Sequence, residues 1–337
     1  MQFTFWGLTV LDLIVIFIYF VVVLWVAIRA SILVKNSEDY FMAGRRFGKL
    51  IQTFAAYGQA TSVENVTATT TMVNANGASG IWAMLAGGLF NLPVFWMTSI
   101  WYRRLRVLTL GDFFEERYGS KRMAGFYALC QIIFFIMIGA FGLMAMAKTV
   151  AAITAKPESE LTKTEQVEYY KAVELEKLQA ADFALLTATE KERLTELQLL
   201  NPKKEYSYLN ENMLIWIVAI VTLLYASIGG LAAAFLVDLL QGIFTIILSV
   251  MLIPFAMIKV NLMYGGTGVT GSFDVMHKVL PASFMELWGS PSLIEFTWYW
   301  ILAFSVMIVI TTAVQANQLT ACGSAKDDHT ARYGFVS

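Results

Sequence analysis

Residues 10–28 read VLDLIVIFIYFVVVLWVAI, and residues 126–147 read FYALCQIIFFIMIGAFGLMAMA. The first run contains one charged side chain, Asp12, and the second contains none. A helix needs roughly 20 apolar residues to cross the hydrocarbon layer of a bilayer, so each run is long enough to span a membrane. The first run lacks the basic flank and small-residue cleavage site of a signal peptide, which indicates a retained span.

The composition of the chain also indicates a membrane protein. Apolar residues make up 58% of the 337 residues and charged residues 15%, whereas soluble domains are about 45–50% apolar and about 25% charged. Seven runs are candidate membrane helices: 10–28, 50–73, 81–101, 126–147, 213–228, 231–258 and 294–314. The sequence therefore predicts an all-α, multi-pass membrane protein.

Charge and cysteine content argue against several classes of function. The 24 Lys and Arg residues balance 25 Asp and Glu residues, so no excess of positive charge favours a nucleic-acid partner. Cys130 lies in an apolar run and Cys322 in a distant polar segment, which indicates neither a disulfide framework nor a metal site. Since no nucleophile, base and orienting group occur together, we do not expect an enzyme, and we expect no metal other than sodium.

Residues 155–211 are rich in charge and separate two membrane regions. Thr162 and Glu165, and again Thr189 and Glu192, have capping-box spacing, which predicts two amphipathic helices outside the membrane. The leucines that would form their packing seam are Leu175, Leu178, Leu185, Leu186, Leu194 and Leu197. The insert either shields the extramembrane end of the membrane region or binds a partner.

The predicted organisation therefore has three parts. Residues 1–154 hold transmembrane helices 1–4 and their cytoplasmic loops, residues 155–211 form the extramembrane hairpin, and residues 212–337 hold helices 5–7 and a cytoplasmic end. The basic residues of the short loops gather on one side of this arrangement: Arg29, Lys35, Arg45, Arg46, Lys49, Arg103, Arg104, Arg106, Arg117, Lys121, Arg122, Lys326 and Arg332. The positive-inside rule places that side in the cytoplasm of a plasma (inner) membrane protein, so the amino terminus and the insert lie outside.

The second candidate helix is too polar to face lipid. Between Gly58 and Asn76 it contains Glu64, Asn65 and a cluster of threonines. Glycine and hydroxyl side chains allow a helix to unwind locally, and the freed carbonyl oxygens suit Na⁺. Alternatively, the threonines bond to their own backbone and hold neighbouring helices together.

Asp238 is a second carboxylate in an apolar run, two helical turns after the glycine pair Gly229-Gly230. The glycine pair predicts a tight turn between two spans. A carboxylate is costly in lipid unless it is hydrated or paired, so Asp238 either lines a water-filled ion path or pairs with a nearby basic loop.

Three motifs resemble those of one family. They are Ser37-Glu-Asp-Tyr-Phe-Met-Ala-Gly-Arg45, then Thr109-Leu-x-Asp-Phe-Phe-x-x-Arg-Tyr-Gly119, and then Tyr225-x-x-x-Gly-Gly-Leu231 followed by Asp238-x-x-Gln241. In this order they resemble the sodium/solute symporter family, which contains sodium/sugar and sodium/proline symporters. The resemblance covers nearly all of the chain outside residues 155–211.

The resemblance implies a leucine-transporter-type inverted-repeat fold, in which one extra helix precedes two repeats of five helices. Residues 10–28 would be the extra helix, residues 50–258 the first repeat, and residues 294–314 the opening helix of the second repeat. On this expectation the sequence is truncated, because the second repeat would continue past Ser337.

The resemblance also implies a site. Carbonyl oxygens of Gly58 and Thr61 would bind Na⁺ as the coupling ion, Asp238 would line the inner ion path, and Glu64 and Asn65 would contact the substrate. Further substrate contacts would come from the last helix, at Thr311, Thr312 or Gln315.

One position departs from the family pattern, since Ala60 stands where several members carry Asn or Asp. The sequence predicts a sodium-coupled symporter of a small polar solute in a lipid bilayer. The alternative is a symporter-like membrane sensor or interaction protein, whose insert or missing carboxy-terminal part binds a partner.

Overall fold

The computed structural model describes residues 4–5, 7–180, 187–289 and 295–336, most of them in helices. The helices are α1 Val10–Ser31, α2 Ser37–Met42, α3 Lys49–Ala60, α4 Val63–Asn76, α5 Trp82–Leu105, α6 Leu110–Tyr118, α7 Lys121–Ile153, α8 Lys163–Ala180, α9 Ala188–Leu200, α10 Glu211–Tyr264, α11 Gly268–Val279, α12 Trp298–Ala313, α13 Ala316–Gly323 and α14 Asp328–Val336. Two short antiparallel strands, β1 Thr4–Phe5 and β2 Leu8–Thr9, precede α1 and were not predicted.

Several of these helices have the length and composition of membrane spans. Among the described residues, four segments are long and apolar enough to span a membrane. They are α1, α7, α10 and the continuous stretch Val63–Leu105, which contains α4 and α5. The pair α12–α13 adds a fifth span if the two bent helices are taken together. The prediction of a predominantly α-helical, multi-pass membrane protein is confirmed.

Helix α10 contains two of the predicted spans. The backbone at Gly230 has φ 57° and ψ −150°, which is not helical, so the chain bends where the glycine pair predicted a turn. A Cβ atom on Gly230 would lie 2.6 Å from the carbonyl oxygen of Tyr40, and one on Gly229 would lie 2.8 Å from that of Ala27. The glycine pair therefore permits both the bend and the close approach of α1 and α2.

The chain divides into two compact units. One comprises Met1–Val21 and Leu143–Val221, and the other comprises Val22–Gly142 and Thr222–Ser337. The first unit contains the charged insert, and the second contains most of the apolar helices. Three helices, α1, α7 and α10, contribute residues to both.

Helices α8 and α9 of the insert pack against each other. Leu194 and Leu197 are buried and Leu175 and Leu178 are half-buried, so these four leucines form part of the predicted seam. The other two predicted members, Leu185 and Leu186, lie outside the described residues. Polar contacts between the two helices add to this packing, and Nη2 of Arg193 lies 3.0 Å from Oε2 of Glu174.

One of the two predicted capping boxes in the insert is in place. The Thr162 backbone N–H donates to Glu165 Oε2 over 2.8 Å, and the Glu165 N–H donates back to Thr162 Oγ1 over 3.4 Å. The second prediction, Thr189 with Glu192, was wrong, because α9 begins earlier in the sequence. Thr187 is the N-cap and forms the box with Glu190.

The two ends of the insert are joined side by side. Ala155 and Ser207 form an isolated antiparallel bridge, and the Lys156 N–H donates to the Tyr206 carbonyl oxygen over 2.7 Å. The hydroxyl oxygens of Thr154 and Ser207 lie 2.6 Å apart. The insert is therefore closed at its base by backbone and side-chain hydrogen bonds.

Arg103 fixes the corner between α13 and α14 in the second unit. Its guanidinium donates to the carbonyl oxygens of Ala325 (3.1 Å) and Lys326 (2.6 Å) and pairs with Asp328 (3.1 Å). The sequence indicated only cytoplasmic anchoring for the arginines of this loop. That interpretation was incomplete for Arg103, whose side chain is mostly buried and bonds to backbone carbonyls.

Arg45 and Phe47 fix the same corner from the other side. Arg45 donates to the carbonyl oxygen of Gly323 over 3.1 Å. The Phe47 N–H donates to Ser324 O over 3.2 Å, and the Lys326 N–H donates to Phe47 O over 3.0 Å. These bonds hold α13 and α14 against α3 and α5.

We expect Arg103→Lys to destabilise the protein, because an ammonium group cannot reach the three acceptors that the planar guanidinium binds. The loss should be about 2 kcal/mol of unfolding free energy, measured by denaturant unfolding in detergent micelles. Arg104 also pairs with Asp328 but is 68% exposed, so Arg104→Lys is the matched control and should cost less than about 1 kcal/mol. Equal effects would contradict the role of Arg103.

Gly230→Ala should also destabilise the protein, by about 1–3 kcal/mol, because a side chain is strained at this φ and would meet Tyr40. Gly139 is the matched control, since it is helical and a Cβ there meets nothing within 4 Å. Gly139→Ala should leave stability unchanged or raise it by up to about 1 kcal/mol. Thermal melting of the two variants decides between these outcomes.

The insert should lose protection in acid. Hydrogen bonds from the Thr162 N–H, the Lys156 ammonium and the Thr162 hydroxyl lower the pKa of Glu165. Because this pKa is lower in the folded state than in the unfolded state, the stabilisation is present at neutral pH and is lost as the pH falls through the carboxyl range. We expect weaker hydrogen-exchange protection at the start of α8 near pH 3.5 than near pH 7, roughly the range of carboxyl titration.

Two variants test the origin of this dependence. Glu165→Gln should remove most of it, whereas Glu192→Gln, at an exposed position of α9, should leave it unchanged. An unaltered pH dependence in Glu165→Gln would show that the capping carboxylate is not its source.

Candidate functional site

The predicted helix over residues 50–73 is broken. Helix α3 ends at Ala60 and α4 begins at Val63, with Thr61 and Ser62 in extended conformations between them. The Thr61 N–H and hydroxyl both donate to the Tyr57 carbonyl oxygen, over 2.9 and 2.7 Å, and Asn65 Nδ2 donates to Ala60 O over 3.1 Å. The hydroxyl-rich sequence thus unwinds as expected, and its side chains satisfy carbonyl groups at the break.

A second break follows α12. The predicted helix over residues 294–314 begins later, at Trp298, and ends at Ala313, while residue 294 lies outside the described residues. Helix α13 starts at Ala316 and is bent by 62° from α12. The Ala316 N–H donates to Gln131 Oε1 over 3.3 Å, so a side chain of α7 satisfies the backbone at this break.

Both breaks open on one cavity of about 580 Å³, a volume typical of small-molecule sites. Helices α3, α4, α5, α12, α13 and α14 contribute to its wall. The lining residues are Thr53, Ala56, Tyr57, Gln59, Ala60, Asn65, Ala83, Met84, Gly87, Gly88, Asn91, Leu92, Phe95, Ile308, Thr311, Thr312, Gln315, Asn317, Gln318 and Gly334.

Four of the predicted site residues line this cavity, namely Asn65, Thr311, Thr312 and Gln315. Asn65 follows the first break, whereas Thr311, Thr312 and Gln315 lie at the second break, far away in sequence. Asn91 Nδ2 of α5 donates to Thr312 Oγ1 over 3.4 Å, which links the second break to α5. The structure therefore brings together the residues that were predicted to bind the substrate, apart from Glu64.

The other predicted residues lie outside the cavity wall. Gly58 faces Asp238 on α10, because a Cβ atom on Gly58 would lie 3.0 Å from Asp238 Cγ. Glu64 faces α7, where a Cβ atom on Gly142 would lie 3.1 Å from Glu64 Oε2. Thr61 lies at the first break, where its hydroxyl bonds to the backbone of α3.

Asp238 and Glu64 are carboxylates in predicted spans that the described ion pairs leave out. Within the described part of the chain, no salt bridge involves Asp238 or Glu64. The alternative reading of Asp238 as the partner of a basic loop therefore has no support in the described contacts. A carboxylate in an apolar helix without a cationic partner is expected to be hydrated or to meet a mobile cation.

The wall of the cavity combines apolar surface with uncharged polar groups, and no charged side chain is among the described residues that line it. It includes carboxamides that were not among the predicted site residues, on Gln59, Asn91, Asn317 and Gln318. Each has a buried oxygen atom that no protein donor reaches. The available signals were the polar stretch that contains Gln59 and the isolated Asn91 in an apolar run. Asn317 and Gln318 become informative only once the bend after α12 is known.

Comparisons with known proteins address the family. Residues 205–337 match the model of the Sodium:solute symporter family, a family of sodium-coupled transporters rather than enzymes. The matched part contains Asp238, Thr311, Thr312 and Gln315, whereas Gly58, Thr61, Glu64 and Asn65 precede it. No curated protein matches the chain. Residues 205–337 are thus similar to the Sodium:solute symporter family.

Proposed function

We propose that this protein is a sodium-coupled symporter that carries a small polar solute in the cavity between α3–α4, α5 and α12–α13. The observation that carries the proposal is the opening of two helix breaks on one cavity. Broken membrane helices place backbone carbonyls and helix ends beside a solute, which continuous helices cannot do because their backbone groups bond internally.

The two breaks also support the inverted-repeat fold of the leucine-transporter type. In such a fold, corresponding helices of the two repeats are interrupted at corresponding positions. Here α3–α4 would open the first repeat and α12–α13 the second. The bend of 62° between α12 and α13 was not predicted from the sequence. It supports a correspondence between this break and the break between α3 and α4.

The coupling ion would bind at the first break. Carbonyl oxygens of Gly58 and Thr61 are the proposed Na⁺ ligands, because they lie where α3 ends. Asp238 lies beside Gly58 without a cationic partner, and its negative charge would attract a cation along the path to this site. Glu64, in the first turn of α4, would add to the negative potential at the break.

The solute would contact Asn65, Thr311, Thr312 and Gln315, which line the cavity. Ion and solute would be coupled because both bind at the helix breaks and so favour the same conformation. A ligand shifts a conformational equilibrium only by its difference in affinity for the two states. Because the ion and the solute would favour the same state, each would promote binding of the other.

The orientation is proposed as well. The basic loops would face the cytoplasm of the plasma membrane, and the amino terminus and residues 155–211 would lie outside. Arg103 and Arg45 both bond to the corner between α13 and α14. This supports placing their loops on the same side of the membrane.

Sodium coupling is tested by uptake into vesicles that contain the purified protein. With an inward sodium gradient we expect accumulation of the solute above its external concentration, and without the gradient only equilibration. Potassium chloride at equal ionic strength is the control for salt effects. Equal accumulation in the two salts would contradict sodium coupling.

The ion path is tested by Asp238→Asn, which keeps the size of the side chain but removes its charge. The sodium concentration for half-maximal uptake should rise by about tenfold, the size of a typical coupling between two charged groups. Asp274→Asn, at an exposed position of α11, is the matched control and should have no effect. Glu64→Gln tests proton coupling, since unchanged sodium and pH dependence would exclude Glu64 as a coupling group.

A further inference from the structure

We infer that Tyr102, Tyr127 and Gln131 are positioning residues that hold the break between α12 and α13 in its bent form. These three side chains form a clamp on the break, and none of them is among the described residues that line the cavity. They act on the three cavity-lining residues at the break, which are Thr311, Thr312 and Gln315. The inference rests on the proposed function, because it concerns residues proposed to contact the solute.

Two tyrosine hydroxyls replace helical hydrogen bonds at the break. In a continuous helix, the carbonyl oxygens of Ala313 and Val314 would accept from the N–H groups four residues later. The extended conformation of Gln315 (φ −74°, ψ 137°) interrupts this pattern. The Tyr102 hydroxyl of α5 donates to the Ala313 oxygen, and the Tyr127 hydroxyl of α7 donates to the Val314 oxygen over 2.8 Å. Because lipid offers no donor, these hydroxyls allow both carbonyls to leave the helical pattern.

Gln131 supplies the third bond, from the same helix as Tyr127. Its Oε1 accepts from the Ala316 N–H over 3.3 Å, a group that would reach the carbonyl oxygen of Thr312 in a continuous helix. Because Gln131 follows Tyr127 by four residues, both side chains lie on one face of α7. In the stretch of residues 126–136 these two are half-buried and all the others are exposed. Over this stretch, the face of α7 that meets the protein is therefore the face that bonds to the break.

Apolar packing fixes the two tyrosine rings. Tyr102 and Tyr127 pack against a buried cluster that consists of Met42, Val107, Leu110 and Leu319. Leu319 belongs to α13, so the cluster joins the tyrosines to the helix beyond the break. The Tyr127 ring also lies 4.8 Å from the ring of Phe114 on α6, measured between centroids. A ring held by packing presents its hydroxyl at a defined place, as a positioning residue requires.

The two helix breaks differ in the origin of their partners. At the first break, the side chains of Thr61 and Asn65 bond to carbonyl oxygens within five residues of themselves. At the second break, the clamp bonds to backbone groups at least 185 positions away in sequence. The geometry of the first break thus depends on its own segment, whereas that of the second depends on the placement of α5 and α7.

Removal of the clamp should straighten α12 and α13. A carbonyl without a donor is costly inside a membrane, and the nearest donor is the N–H group four residues later. When those helical bonds form, Gln315 becomes helical and the bend of 62° decreases. Gln315 then leaves the position that it has in the cavity wall.

The test measures the bend with two spin labels on the full chain in lipid nanodiscs, without solute and without a gradient. The labels are attached through Val306→Cys on α12 and Lys326→Cys after α13, both at exposed positions. Cys130→Ser removes the exposed cysteine, and the buried Cys322 is retained. Double electron–electron resonance then gives the distance between the labels.

We expect Tyr102→Phe combined with Tyr127→Phe to lengthen this distance, by about 3 Å if the bend is lost, because a straight helix extends by about 1.5 Å per residue. The double variant keeps both rings and removes both hydroxyls. Tyr118→Phe is the matched control, since Tyr118 is an exposed tyrosine of α6, and it should leave the distance unchanged. An unchanged distance in the double variant, or the same lengthening in Tyr118→Phe, overturns the inference.

Gln131 gives a second test, which does not require the double variant to fold. Gln131→Met removes the acceptor and keeps the length of the side chain, whereas Gln131→Glu keeps an acceptor oxygen. The distance should lengthen in Gln131→Met and match wild type in Gln131→Glu. A role in stability alone predicts lower melting temperatures without a change of distance, and that result overturns the inference.

The outcomes separate this inference from the proposed function. A longer distance in the clamp variants, together with uptake that does not depend on sodium, would support the clamp and refute sodium coupling. An unchanged distance, together with sodium-driven uptake by the wild type, would refute the clamp and leave symport intact.

Discussion

The hydrogen-bonding demand of the backbone in a membrane is the constraint on which this structure depends. A peptide group that leaves the helical pattern inside the bilayer must find another partner, because lipid offers none. At the first break the partners include Thr61 and Asn65, and at the second they include Tyr127 and Gln131. These polar side chains make the breaks possible, and the breaks in turn create the cavity.

Charged side chains and uncharged polar side chains occupy different places around that cavity. The carboxylates Asp238 and Glu64 face glycines on neighbouring helices. The carboxamides and hydroxyls instead line the cavity. On the proposed function, a cation and a solute would bind beside one helix break without competing for the same groups, since the two ligands need different chemistry.

The sequence predicted the membrane class, several spans and four residues that line the cavity, for identifiable reasons. Long apolar runs specify spans without any tertiary information. Asn65 and Thr312, which line the cavity, were proposed as substrate contacts only through the family resemblance. The bend at Val314 had no comparable signal, because neither glycine nor proline marks it, and its cause is tertiary: Tyr127 and Gln131 of α7 bond to the backbone there.

The paired base of the charged insert has a consequence for how this chain can vary. Because Ala155 and Ser207 are already held together, residues added within the insert lengthen a segment whose ends stay fixed. Each doubling of such a loop costs only about 0.6 kcal/mol in closure entropy. Lineages could therefore enlarge or shorten this segment without altering the spans that flank it, and a tag or reporter domain inserted there would be tolerated for the same reason.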